Sequence, residues 1–286
     1  MRFLSGTIAV AAALYVSSAG SAPVVSAAET GSYLKQIEVA RKRYENGNYK
    51  DAYRLYRKLA LDGDNRSGAA GTALKGGIDS LRRLGRRSEI DGFREEAVKI
   101  HASDWKLLRS AARSYRDGIH YGFMIAGEFH RGPKRGGGER VNASERDRVR
   151  ALQLMEQARK WMQKEDDAKV RALFYREYAD MIMNYRNRSQ AWRLQYLTDL
   201  SELPDYEKGF GYYYYMGHGV NAPVNEEGVP VYHRLPESYE KAAGDGERWR
   251  WLLAKAVMED KSLENSVLNR RASFCREQFG VRTMRD

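Results

Sequence analysis

One cysteine stands in 286 residues. No disulfide can form within the chain, so the fold must rest on its core alone. That cysteine, Cys275, follows Leu268 and Ala272 and precedes Phe279 at i, i+4, i+7, i+11 spacing. One helix face therefore carries all four, which predicts a thiol packed in the core. Proline is nearly as scarce, at six, and five of the six follow Gly132. That suits a helical chain, because proline breaks helix interiors. The five histidines (His101, His120, His130, His218 and His233) form no pair at i+4, and there is no HExxH and no CxxC. A zinc-type site lacks its ligands. Glu128 and His130 share one face of a short alternating stretch; a metal pair is one reading, and a polar loop edge is the ordinary one. There is no GxSxG, no Walker loop and no dinucleotide fingerprint. Gly136, Gly137 and Gly138 lack the Lys-Ser/Thr that a phosphate loop needs. No cofactor and no metal is expected. Beyond the first 28 residues no apolar run approaches the about 20 residues of a spanning helix.

Charge is what the chain has in excess, at +11. Arginine is concentrated in runs such as LRRLGRR at 81–87. A basic surplus suits an acidic partner: nucleic acid, anionic lipid or anionic polysaccharide. The N-terminus narrows that choice. Arg2 precedes an uncharged apolar run at 4–16, then small residues ending Val25-Ser26-Ala27-Ala28 before Glu29. This is the layout of a secretory signal peptide, cleaved after Ala27 or Ala28. The run is too short to be read as a spanning helix. The sequence thus predicts a signal at 1–28, a helical domain over 29–282 and a tail at 283–286. The mature chain is expected to be exported, periplasmic or secreted. No nucleic acid is expected as a partner.

Helical spacing dominates the rest. Residues 32–44 read as an amphipathic helix. Then Gly47, Tyr49, Ala52 and Tyr56 match the second half of a tetratricopeptide repeat, with a small residue where helices cross and an aromatic one turn on. Further apolar faces follow: Ile90, Phe93, Ala97; Trp105, Leu108, Ala111, Ala112, Tyr115; Ala151, Leu154, Met155, Ala158, Trp161, Met162; and Val170, Leu173, Phe174, Tyr178, Met181, Tyr185. A helix restarts near Trp192. Trp249, Leu252, Leu253 and Ala256 form another face, and a last helix runs from about Ser262 to Gly280. Helix pairs recur every roughly 40–55 residues, more irregularly than a strict repeat. The predicted fold is all-α, an irregular tetratricopeptide-like α-solenoid.

Two segments break the pattern. Residues 119–143 read as a Gly/Arg loop. Ser144 then resembles an N-cap, with Asp147 as the acid of the first turn. Residues 204–236 form a Tyr/Pro-rich insertion, in which Asn225-Glu226-Glu227-Gly228 closes a small hairpin. These segments hold the candidate binding residues. Arg131, Lys134, Arg135 and Arg140 could grip a phosphate or sulfate surface, or be a solvated loop. Tyr212, Tyr213, Tyr214 and Tyr215 could stack on carbohydrate or peptide, although four consecutive tyrosines cannot share a face.

The stretches 127–158 (GEFHRGPKRGGGERVNASERDRVRALQLMEQA) and 189–214 (SQAWRLQYLTDLSELPDYEKGFGYYY), with DGERWRWLLAKA at 245–256, together resemble a known module. It is the N-terminal helical module of large bacterial secreted proteins of the alpha-2-macroglobulin family, planctomycete type. The resemblance covers about residues 40–282. It implies an exported interaction module, either split from or a copy of the front of such a protein. It implies no protease trapping, since the β-domains, bait region and thioester domain of that family are missing. Cys275-Arg276-Glu277-Gln278 is similar to the family's Cys-Gly-Glu-Gln thioester, but Arg276 replaces the glycine.

The expected function is non-enzymatic protein binding. The alternatives are a binder of anionic envelope polymer and a cell-envelope hydrolase of lytic transglycosylase type. Glu237-Ser238 matches the start of the latter's motif, but the Gly-Leu-Met-Gln and Ala-Tyr-Asn motifs that should follow are absent.

Overall fold

The computed structural model describes residues 27–65, 68–186, 188–209 and 222–279. Residues 1–26 of the expected signal at 1–28, Tyr212 to Tyr215, Gly280 and the expected tail at 283–286 lie outside the described residues. The chain is mostly helical, with one small antiparallel sheet. Five helices come first: α1 (Ala27–Glu45), α2 (Tyr49–Ala60), α3 (Ala69–Arg83), α4 (Ile90–Ile100) and α5 (Trp105–Arg116).

Their packing depends on small residues. Ala52 is fully buried on α2, and Tyr56 lies one turn on. A Cβ at Gly76 of α3 would come within 2.5 Å of the Tyr56 ring, and one at Gly77 within 2.6 Å of Phe93. Glycine at both positions lets the rings lie against the α3 backbone. The stripes expected at Ile90, Phe93, Ala97 and from Trp105 to Tyr115 are buried as read. Asp104 caps α5 by accepting from the amides of Lys106 (2.9 Å) and Leu107 (3.2 Å).

The segment 119–143 is not a loop, which corrects the sequence reading. It forms strands β1 (Tyr121–Ile125), β2 (Glu128–Arg131) and β3 (Glu139–Asn142), joined by β4 (Glu207–Lys208) in the order β2-β1-β3-β4. Ile125 pairs with Glu128. Between them Ala126 and Gly127 both have positive φ, at 49° and 82°. That is the two-residue turn whose twist matches paired strands. Gly122 sits where a Cβ would fall 2.2 Å from the His130 carbonyl. The irregular part shrinks to residues 132–138.

The second half holds α6 (Ser144–Met162), α7 (Ala168–Met183), a 3-10 helix (Arg188–Gln195), α8 (Asp245–Glu259) and α9 (Glu264–Phe279). α6 packs on α5, and α8 packs on α7. The expected faces of α6 and α8 are buried, except that Trp161 is exposed; on α7 Leu173 is exposed. The restart near Trp192 is the 3-10 helix, not an α-helix. The small turn expected at 224–229 is present: Gly228 has φ +77°, its amide donates to Asn225 O (3.0 Å), and Asn225 N donates to Val229 O (3.0 Å).

The last helix departs from its expected phase. Val267, Phe274 and Gln278 face inward on α9, while Leu268 and Ala272 are exposed and Cys275 is half-buried. Phe274 lies 5.2 Å from the Trp249 ring of α8, and that contact sets the phase. No helix among the described residues is long and apolar enough to cross a membrane.

Candidate functional site

The four cations that could grip an anion, or line a solvated loop, do not converge. Arg131 closes β2 and points inward, only 4 % of its side chain exposed. Its Nε donates to both oxygens of Asp91 on α4 (3.0 and 2.8 Å). Its Nη1 and Nη2 donate to Asp147 of α6 at 2.6 and 2.8 Å, and Nη1 also reaches the Ile119 carbonyl. Every arm of the guanidinium is used, so none is left for a phosphate or sulfate. Lys134 and Arg135 are exposed on the 132–138 turn. Arg140 stacks 4.7 Å over the Tyr121 ring.

Ser144 is the first residue of α6 and not its N-cap, which is Ala143, while Asp147 does lie in the first turn as read. Ser144 donates its amide (3.2 Å) and hydroxyl (2.8 Å) to Asn142 Oδ1, and Asp147 turns into the protein. It accepts from Arg131 and from His120 Nδ1 (2.8 Å), while His120 Nε2 lies 3.1 Å from the Arg116 carbonyl. Burial alone would raise the Asp147 carboxyl, but the hydrogen bonds from His120 and Arg131 outweigh it and hold the carboxyl below the usual range. Behind Arg131, Arg94 is fully buried, its guanidinium 4.0 Å from the centre of the Tyr115 ring. Burial lowers its pKa. This cluster joins sheet, α4 and α6; its role is structural.

A second buried network ties the C-terminal half. Arg148 of α6 donates to Asp245 at the start of α8 (3.0 Å), Thr198 Oγ1 (2.8 Å) and the carbonyls of Ile182 (3.0 Å) and Asn184 (3.1 Å). Arg148 and Asp245 each expose 1 % of their side chains. Next to it Glu145 binds Arg186, whose pKa falls to about 10 through burial and the nearby charge of Arg148. An open hollow of about 360 Å³ adjoins these groups, with Trp192, Tyr196 and Asp199 in its walls.

The open surface that the sequence reading missed lies on α8 and α9. A hollow of about 340 Å³ is walled by Tyr232, Trp249, Phe274 and Phe279, with His233, Arg250, Arg271 and Cys275 in the lining. A second, of about 220 Å³, shares Arg250, Leu268 and Arg271 with it and adds Leu235, Val257 and Glu264. The two form one groove. Its rim is apolar and exposed: Tyr232 59 %, Leu235 55 %, Leu268 50 %.

Backbone geometry fixes one wall. A Cβ at Gly246 would fall 2.3 Å from the His233 ring, so glycine there lets the imidazole lie on the first turn of α8. Burial pushes His233 down to about 4, so it is neutral near pH 7. Its Nε2 and the Trp249 Nε1 are buried with no protein partner. Arg250 donates Nη1 to the His233 carbonyl at 2.7 Å. Its guanidinium is pushed down by burial and then by the charge of Arg271. His233, Arg250 and Arg271 are 17 to 38 positions apart, and no sequence pattern joins them.

Glu237, the candidate acid, is exposed and pairs with Lys241. Among the described residues no group of three metal-binding side chains occurs. No protein-family model, curated protein or solved structure matches this chain.

Proposed function

We propose that this chain is a non-enzymatic interaction module, exported from the cell, built as an irregular tetratricopeptide-like α-solenoid. The observation that carries the reading is the α8–α9 groove. Three large apolar side chains stand half exposed or more around two adjoining hollows. A clustered apolar rim of that kind marks a surface built to be covered. The buried Arg131 and Arg148 clusters support it, because their charges are answered within the protein, whereas the groove's apolar rim is not covered by the described residues. Kinship with the N-terminal module of the bacterial macroglobulins remains part of the proposal; the coding sequence next to this gene tests it, since macroglobulin-type domains should follow.

Photo-crosslinking tests the function. A benzoylphenylalanine at position 268 is expected to give a discrete crosslinked protein in envelope extract, and one at exposed Arg54 of α2 none. Equal, diffuse labelling from both positions would overturn the reading. So would clearing of cell-wall polymer by the purified chain in a zymogram, which would restore the hydrolase.

A further inference from the structure

Two arginines line the groove without a carboxylate to answer them. Arg250 on α8 and Arg271 on α9 both border both hollows. Neither forms an ion pair among the described residues. Glu264 lies in the wall of the smaller hollow and pairs with neither. Several other arginines of this chain are closely paired: Arg131 takes two carboxylates, Arg159 takes Glu156 and Glu240, and Arg171 takes Glu259. Two like charges side by side in a half-buried wall repel; burial first, and then the charge of Arg271, push the Arg250 guanidinium down. An incoming carboxylate removes that repulsion and gains charge-assisted hydrogen bonds. Arginine is suited to this, because its guanidinium is weakly hydrated and planar.

The rest of the groove says what must accompany the charge. Tyr232, Leu235 and Leu268 offer apolar contact beside the cations. Arg250 is already oriented by its bond to the His233 carbonyl, which reduces the ordering cost of binding. A nucleic-acid backbone would need a longer track of cations, and among the described residues two line these aromatic and aliphatic walls. We propose that the α8–α9 groove docks a segment of a partner protein that sets an aspartate or glutamate side chain between Arg250 and Arg271 and a large apolar side chain against Tyr232 and Leu268. This rests on the interaction-module reading and names the chemistry of its partner.

A random seven-residue phage-displayed peptide library, panned on the full chain, tests it. The enriched sequences should share an acidic residue close to Phe, Trp or Leu. The consensus peptide, acetylated and amidated so that its only carboxylates are side chains, should bind in fluorescence polarisation. Binding should weaken about tenfold or more on Arg271→Gln, on Leu268→Ser, or when the peptide's acidic residue becomes its amide. Circular dichroism of both protein variants confirms that they remain folded. A consensus without an acidic residue, equal binding of acid and amide peptides, or no enrichment each overturns the proposal. A discrete crosslink from position 268 together with any of these leaves the module standing and removes only the carboxylate.

Discussion

Arg131 and Arg271 are the same residue in opposite circumstances. Arg131 sits at a strand end with Asp91 and Asp147 closed around it. Arg271 lies in an open groove, beside another arginine and with no carboxylate bonded to it. In sequence Arg131 looked the more functional, since it lies among glycines and cations. The structure reverses that order. A cation answered inside the protein is part of the scaffold. A cation left unanswered at an apolar rim is available to something else. Position in a glycine-rich stretch says little about which case applies; the location of the nearest carboxylates decides it.

The largest expected effect falls on the enclosed arginine. Arg131→Met should destabilise the fold by about 3–5 kcal/mol in urea unfolding, because Asp147 would be left buried without its arginine and half-buried Asp91 with Arg94 alone. Lys134→Gln and Arg135→Gln, on the exposed turn beside it, should change stability by no more than about 0.5 kcal/mol. A loss under about 1 kcal/mol for Arg131→Met would break the distinction drawn here.

Acid should act on the other side of the comparison, at the groove wall. Folded His233 binds its proton only near pH 4, whereas an unfolded histidine binds it near its ordinary value of 6.5. Between those values the unfolded chain holds more protons, so stability falls as pH drops from about 6.5 to about 4. The loss from this residue should be at most about 3 kcal/mol. Asp147, held below the usual range, adds a loss at lower pH still. The His233→Gln variant should lose the first part and keep the second. An unchanged pH profile in that variant would show that His233 is not the group responsible.

A more moderate effect is expected where the apolar reading was sound. Ala52→Trp should cost about 1–3 kcal/mol through overpacking, since Ala52 is wholly buried on α2. An unchanged melting temperature would remove residues 47–56 from the helix crossing.

That site marks what could be read in advance. The faces of α2, α4, α5 and α8 follow from 3.6-residue spacing, because one apolar stripe decides burial on a helix that packs along one side. The sheet is hard to read in sequence because Gly132, Pro133 and Gly136 to Gly138 point to a loop and mask the short alternation of Phe123, Ile125 and Phe129. Ala126-Gly127 was a turn signal between two strands, and Gly122 is required by the close approach of the paired backbone. On α9 two neighbouring stripes are both partly apolar. Spacing cannot choose between Val267–Phe274–Gln278 and Leu268–Ala272–Cys275, and it is the Trp249 ring on another helix that does. The Arg131 cluster spans positions 91 to 147 and the groove spans 232 to 279. Such juxtapositions are tertiary, and no local pattern encodes them.

The smallest effect on stability is the most telling one. Arg271→Gln should leave the unfolding free energy within about 0.5 kcal/mol of the parent, since no carboxylate loses its partner and the repulsion on Arg250 is relieved. Cys275, in the same lining, serves as the reporter. Half-buried and not in the core stripe, its thiol should label in the native protein, and the consensus peptide should slow that labelling in the parent but not in Arg271→Gln. Intact mass should show no loss of ammonia, which a thioester with Gln278 would require. Were Arg271→Gln to cost as much as Arg131→Met, the residue would be holding the fold together, and the contrast between an answered and an unanswered cation would fail at its second term.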